Sequence, residues 1–322
     1  MKTMNSSKET HGISRRHFIT TAGLATAAIC LAPRRLFAGT VSPVTTIREA
    51  AATAKITITK LRGNVSVLEG SGGNIGVLSG SDGKLLVDAG IPGTRKGITE
   101  ALTSIGPEPV RHLVNSHWHF DHTDGNEWLY SEGAEITAHV NTRKHLSEET
   151  RVADWQFTFP PAPAGALPTR EFTDEYKLHL NGTTLALKYY LPAHTDSDIS
   201  VEFPDADIIH VADTLWNGYY PFIDYSTGGS INGSIRAAED NVIRTTSNTI
   251  VIPGHGPVGD RSDLIKFRDM LVEIRDRVSV LKKKGMSLAE VVAAKPTADY
   301  DAKWGTWVID GKTFIWLVYQ GV

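Results

Sequence analysis

The sequence predicts an α/β protein of four layers, α-β-β-α, with two sheets packed face to face between helices. Three observations carry this expectation. Two blocks of short apolar strands, each followed by segments of helical spacing, run from about Lys55 to Lys284. Hydrophobic residues make up 41% and charged residues 21% of a 322-residue chain, an ordinary balance for a globular protein that buries a large core. Finally, histidines and aspartates recur where strands of both blocks give way to loops, the usual seat of site residues on a rigid scaffold.

The N-terminus reads as an export signal spanning residues 1–38. Ser14-Arg15-Arg16-His17-Phe18-Ile19 is a twin-arginine pattern, and Ile19 to Ala32 is apolar or small and uncharged. That run is too short to span a membrane but has the length of a signal h-region. Arg34 and Arg35 follow, with a small-residue processing site expected near Ala38-Gly39. The mature protein is therefore expected in the periplasm or otherwise outside the cytoplasm, without a stable membrane anchor. Removing Lys2, Lys8, Arg15, Arg16, Arg34, Arg35 and Glu9 leaves 27 Lys and Arg against 35 Asp and Glu, a net charge of −8. Such a surface disfavours nucleic acid as partner, because binding a polyphosphate needs clustered cations. Cys30, the single cysteine, lies inside the signal, so the mature chain has neither disulfides nor thiolate ligands and nucleophiles.

Residues 39–54, rich in Ala and Thr without clear period, are expected to be a linker ahead of one domain spanning 55–322. Ile56-Thr57-Ile58-Thr59 alternates, Val65 to Leu68 and Asn74 to Ser79 read as strands, and Asp82-Gly83 signals a hairpin into Lys84–Val87. Ile98, Leu102 and Ile105 share a helix face that ends at Gly106-Pro107. Val110, Leu113 and Val114 form a buried strand; helices over Gly125–Glu132 and Asn141–Thr150 flank another at Glu135–Ala138. Residues 151–170 break the rhythm, with Trp155, Phe157 and Phe159 followed by four prolines, and read as a loop serving as a lid over a substrate pocket. The second block begins near Tyr176 and takes in Thr184–Leu191, Asp198–Phe203 and Ile208–Ala212. A helix around Ser234–Thr245, a strand at Thr249–Ile252 and a long amphipathic helix from about Ser262 to Lys284 complete it.

Asn115 to Asn126 packs His117, His119, Asp121 and His122 into six residues directly after a strand. Imidazole nitrogen and carboxylate oxygen suit a borderline-soft divalent cation such as Zn²⁺. Three later segments share that chemistry at strand ends: Pro192-Ala193-His194-Thr195-Asp196, Val211-Ala212-Asp213-Thr214, and Pro253-Gly254-His255-Gly256-Pro257. His112, His139, His145, His179 and His210 fit no ligand pattern.

The pattern H-x-H-x-D-H, then a lone His, an Asp and G-H-G closely resembles the metallo-β-lactamase superfamily, over roughly Lys55 to Gly259 and with the motifs in order. The resemblance implies two mixed sheets and two Zn(II) ions per chain, with iron or manganese as alternatives. One ion would be held by His117, His119 and His194, the other by Asp121, His122 and His255, with Asp213 bridging. Asp88, in Leu-Leu-Val-Asp-Ala-Gly, would accept a hydrogen bond from a ligating imidazole. Catalysis would use a hydroxide activated by both metals, with Asp121 orienting it and passing its proton to the leaving group.

The branch is less legible. Family members with a cysteine ligand are excluded, and the exported, acidic chain argues against a tRNA-processing role. The expected activity is hydrolysis of a small acyl substrate, a β-lactam amide or a lactone or ester. A thioester hydrolase of glyoxalase II type, and a metal-binding accessory protein of an exported redox system, are the alternatives. Trp155, Phe157, Phe159, Trp216, Tyr219, Tyr220 and Phe222 are candidates for an apolar pocket. The C-terminal stretch 287–322, with Trp304, Trp307 and Trp316, reads as a family-specific extension without assigned chemistry.

Overall fold

A computed structural model describes residues 42–70 and 72–322, so the expected export signal lies outside the described residues. Where a linker was expected, Pro43–Ala51 forms a helix, α1. Ser42 caps it by accepting from the Val44 amide, Pro43 stands in its first turn, and Val44 and Ala51 turn inward. Their i, i+7 spacing is a short helical face that Ala- and Thr-rich composition concealed.

Seven strands form the first sheet: β1 (Thr57–Lys60), β2 (Val65–Glu69), β3 (Ile75–Leu78), β4 (Lys84–Val87), β5 (Val110–Val114), β6 (Glu135–His139) and β9 (Arg170–Phe172), in that spatial order. Strands β1 to β4 are an antiparallel meander, whereas β4, β5, β6 and β9 run parallel. The parallel connections pass through helices α2 (Arg95–Ile105), α3 (Phe120–Thr123), α4 (Asn126–Ser131) and α5 (Val140–Ser147). The second sheet, also mixed, takes β10 (Glu175–Leu180), β11 (Thr183–Tyr189), β12 (Ile199–Phe203), β13 (Ile208–Trp216), β14 (Ile250–His255) and β15 (Gly259–Asp260) in sequence order. Only β13 and β14 are parallel there, joined across helix α6 (Ile231–Arg244).

The period of two along each strand sorts side chains between layers. Leu85 and Val87 of β4, Val65 and Val67 of β2, and Ile208 and Ile252 of the second sheet fill the space between the sheets. Their neighbours point outward: Leu86 and Leu68 meet Ile98 and Leu102 of α2, while Ile209, Val211 and Val251 meet the opposite helical layer. That layer is α6 and α7 (Arg261–Lys283), whose Leu264, Phe267, Leu271, Ile274 and Val278 recur at helical spacing.

One further expectation changes. Residues 151–170 are not one irregular loop: β7 (Thr150–Val152) and β8 (Phe157–Phe159) pair as an antiparallel hairpin with Trp155 at its turn, so the preceding helix stops at Ser147. Alternating aromatic residues are good strand formers, and that preference outweighs the prolines that follow. The C-terminal stretch folds into α8 (Leu288–Ala294), α9 (Ala298–Trp304) and α10 (Gly311–Gln320), whose buried Val291, Trp304, Phe314 and Leu317 share one core with α7.

Candidate metal centre

All seven predicted ligands converge at one end of the two sheets. His117 and His119 lie just beyond β5, Asp121 and His122 on α3, His194 between β11 and β12, Asp213 within β13, and His255 at the end of β14. Their ligand atoms fall into three overlapping groups, each within 4.8 Å: His117, His119 and His194; His117, His122 and Asp213; Asp121, His122 and His255.

Each imidazole is aimed by what its other nitrogen does. Nδ1 of His122 donates to Asp88 Oδ2 at 2.8 Å, leaving Nε2 for the centre. His117 Nδ1 meets Ser116 Oγ at 3.1 Å, and that hydroxyl donates to the same Asp88 oxygen at 2.7 Å. The Ser116 amide donates to the other Asp88 oxygen, so one fully buried carboxylate orients two ligands. Asp88 adopts φ +71°, the left-handed region that costs a non-glycine residue energy, and the turn into Ala89-Gly90 is held there by these bonds. His194 Nδ1 donates to the Phe222 carbonyl at 2.8 Å. His119 is turned the other way: Nε2 donates to Asp224 at 3.0 Å, and Nδ1 faces His194 Nε2 at 2.9 Å.

Asp213 sits in the middle. Its Oδ1 lies 3.2 Å from His122 Nε2, and its Oδ2 lies 3.3 Å and 3.4 Å from the Nε2 atoms of His194 and His255. Trp216 Nε1 donates to Oδ2 at 2.9 Å and fixes the carboxylate plane. Two glycines make room: a Cβ on Gly254 would lie 1.9 Å from Asp213 Oδ1, and one on Gly73 would meet the His122 ring at 2.0 Å.

The electrostatics ask for a cation. Burial opposes charge on both aspartates, yet the surrounding imidazoles hold Asp213 well below, and Asp121 below, the usual carboxylate range. Burial likewise opposes charge on His122 and His255, but Asp213 and Asp121 beside them raise both. His117 goes the opposite way, lowered well below its ordinary value by burial and by the neighbouring histidines. Three buried atoms, His117 Nε2, His122 Nε2 and Asp213 Oδ1, have no hydrogen-bond partner. Buried polar atoms are rarely left so, and imidazole nitrogens and carboxylate oxygens converging in this way are what a divalent ion fits.

The predicted pocket aromatics divide. Trp155 lies 4.7 Å from the His119 ring and stacks on Phe222 at 4.8 Å; Trp216 lies 4.5 Å from His255, with Tyr219 close by through Trp307. Phe159 and Phe157 instead belong to the hairpin's own packing, with Phe159 against Trp118 and Phe120. Tyr220 is fully buried, stacked on Phe314, and donates to Asp301 Oδ1 at 3.0 Å, so it is core and cannot serve an oxyanion. Three contributors escaped the sequence reading. Asp224 is one. Asn74 is another: its Nδ2 donates to the Pro253 and Gly256 carbonyls and pins the His255 loop. Trp307, 5.2 Å from His255, is the third. Only Asp224 had a local cue, a carboxylate inside the aromatic run Tyr219 to Tyr225.

Comparison with known proteins agrees with this geometry. The model of the metallo-beta-lactamase superfamily matches residues 68–277, more than half the chain. The chain therefore belongs to the metallo-beta-lactamase superfamily, and it is a metallo-hydrolase with a His/Asp metal-binding cluster. A protein of Methanocaldococcus jannaschii named as a probable metallo-hydrolase is 28% identical over 182 residues, 55% of this chain and 84% of that protein. Among solved structures, the inverting sec-alkylsulfatase of a Pseudomonas species aligns over 89% of this chain with a TM-score of 0.65 and 16% identity. The chain spans about half of that sulfatase, 54%. A metallo-beta-lactamase from Pontibacter korlensis aligns over 68% of this chain and 99% of its own, with a TM-score of 0.55 and 19% identity. At these identities the two structures share the fold.

Proposed function

We propose that the chain is a zinc-dependent hydrolase with two ions per chain that cleaves a small acyl substrate, a β-lactam amide or a lactone or ester. The observation that carries this reading is the position of Asp213, whose two oxygens face His122 on one side and His194 and His255 on the other. His117, His119 and His194 would hold one ion, and Asp121, His122 and His255 the other, with Asp213 shared. Two ions in such a site lower the pKa of water and polarise the oxygen of the scissile group.

The chain's own residues hold and aim. Asp121 is the most open ligand, its side chain 13% exposed where the other six are at 6% or less. Its carboxylate would take a proton from the attacking water and deliver it to the leaving group. Asp88 and Asp224 keep three imidazoles in the tautomer that presents a lone pair. Trp155 and Phe222 close the His119 side to water.

The test is metal content and turnover of the mature protein on a β-lactam, a lactone, a thioester and, because a fold neighbour is a sulfatase, a secondary alkyl sulfate. Expected are two equivalents of zinc and turnover of the amide or lactone that Asp121→Ala lowers by at least about a hundredfold. Preference for the thioester would support the glyoxalase II-type alternative. Two equivalents with turnover no higher than that of Asp121→Ala on all four would support the accessory role, and fewer than one equivalent would end the binuclear reading. Export by the twin-arginine route is proposed with it. Changing Arg15 and Arg16 to lysine should leave the protein in the cytoplasmic fraction.

A further inference from the structure

We propose that the C-terminal extension completes the substrate site, with Trp307 as a specificity wall that selects acyl compounds carrying a planar apolar group. The inference rests on the hydrolase reading above and names the substrate class for that same site. Trp307 lies outside the 68–277 region that the family model matches, in the loop between α9 and α10. Its half-buried ring sits 5.2 Å from His255, 5.4 Å from Trp216 and 5.1 Å from Tyr219. At the other end of the ligand cluster, half-buried Trp155 sits 4.7 Å from His119. The two tryptophans thus flank the two ligand sets, one from the hairpin and one from the extension.

The wall is anchored rather than loosely appended. The Tyr220 amide donates to the Trp304 carbonyl at 2.8 Å, and the Tyr220 hydroxyl donates to Asp301 at 3.0 Å. A Cβ on Gly311 would strike Asp301 Oδ1 at 2.1 Å, so the carboxylate that receives the Tyr220 hydroxyl also packs on the first residue of α10. The loop that carries Trp307 therefore keeps its place relative to Trp216 and His255. An indole held this way, half-buried beside the ligand cluster, offers the exposed part of its ring as a stacking surface to a flat apolar substituent. A small or anionic substituent would gain little from it.

Binding of two carboxylates that mimic hydrolysis products, acetate and phenylacetate, to the zinc-loaded full chain tests this by calorimetric titration. Phenylacetate is expected to bind about tenfold more tightly than acetate, a ratio corresponding to the stacking and burial of one ring. Trp307→Ala should reduce that ratio about fivefold while leaving acetate binding and zinc content unchanged. Trp307→Phe, which keeps a flat ring and the packing, should retain most of it, and Trp307→Leu should not. An unchanged ratio in Trp307→Ala or Trp307→Leu overturns the wall and leaves the hydrolase reading standing. Should neither carboxylate bind the zinc-loaded protein, the wall falls, while the hydrolase reading is decided by its own turnover assay.

Discussion

A carboxylate that touches no substrate can still decide where a metal sits. Asp224 accepts from His119 Nε2, from the Ser226 amide and from Thr227 Oγ1, which exhausts its near oxygens in local bonds. Burial pushes its acidity down, but the His119 hydrogen bond more than offsets this and keeps the carboxyl below its ordinary range. Fixing the proton on Nε2 frees Nδ1, the atom that faces His194. Asp224→Ala is therefore expected to weaken metal binding about 10- to 100-fold, read by competition with a chromophoric chelator. Unchanged affinity would mean that His119 is positioned by packing alone. Tyr220 makes the opposite prediction. Tyr220→Phe should cost roughly 1 kcal/mol of stability, through the lost bond to Asp301, with kcat unaltered. Lost activity at full stability would return Tyr220 to the pocket.

Among the elements, α7 shows how sequence chemistry fixes a boundary. Asp260 accepts from the Ser262 and Asp263 amides, and Asp263 reaches back to the Asp260 amide, a reciprocal cap at the start of a 23-residue helix. Hydrogen bonds from Ser262 hold the Asp260 carboxyl below its ordinary value, so the charge-dependent part of its stabilisation is present above about pH 4 and lost as pH falls through the folded pKa. Asp260→Ala should lower unfolding stability by about 1 kcal/mol at neutral pH, and the gap from wild type should narrow on acidification. A gap independent of pH would assign the effect to something other than the cap. Boundaries of this kind, and the ligands at strand ends, were legible because type and spacing are local. The role of Asp224 was not, since its partner His119 is 105 residues away, and α1 was hidden because nothing in Pro-Val-Thr-Thr-Ile-Arg-Glu-Ala-Ala announces what Val44 will pack against. The pocket assignment of Tyr220 failed for a related reason. An aromatic residue near a site and one in the core have the same composition, and only the stacking on Phe314 separates them.

For the whole molecule, the centre is built from both sheets, so metal binding and folding are linked. The first sheet supplies His117 and the ligands of α3, the second supplies His194, Asp213 and His255, and Asn74 ties the two loops by bonding across to Pro253 and Gly256. Zinc at a thousand times its dissociation constant should add about 4 kcal/mol of stability, and a chelator should lower the thermal midpoint accordingly. A midpoint indifferent to both would contradict a site made at the junction of the sheets. Ile252, fully buried between the sheets three residues before His255, probes the same linkage: Ile252→Val should cost about 0.5–1.5 kcal/mol.

The burial of the ligands also sets a clock. With six of seven side chains at 6% exposure or less, an ion leaves only when several buried ligands let go together, so its exchange should be slow. The rate at which a chelator strips the protein should then level off as chelator concentration rises, and the plateau would be the rate of unassisted ion release. A protein with such slow exchange keeps the metal it folded around, even through an interval in surroundings poor in it.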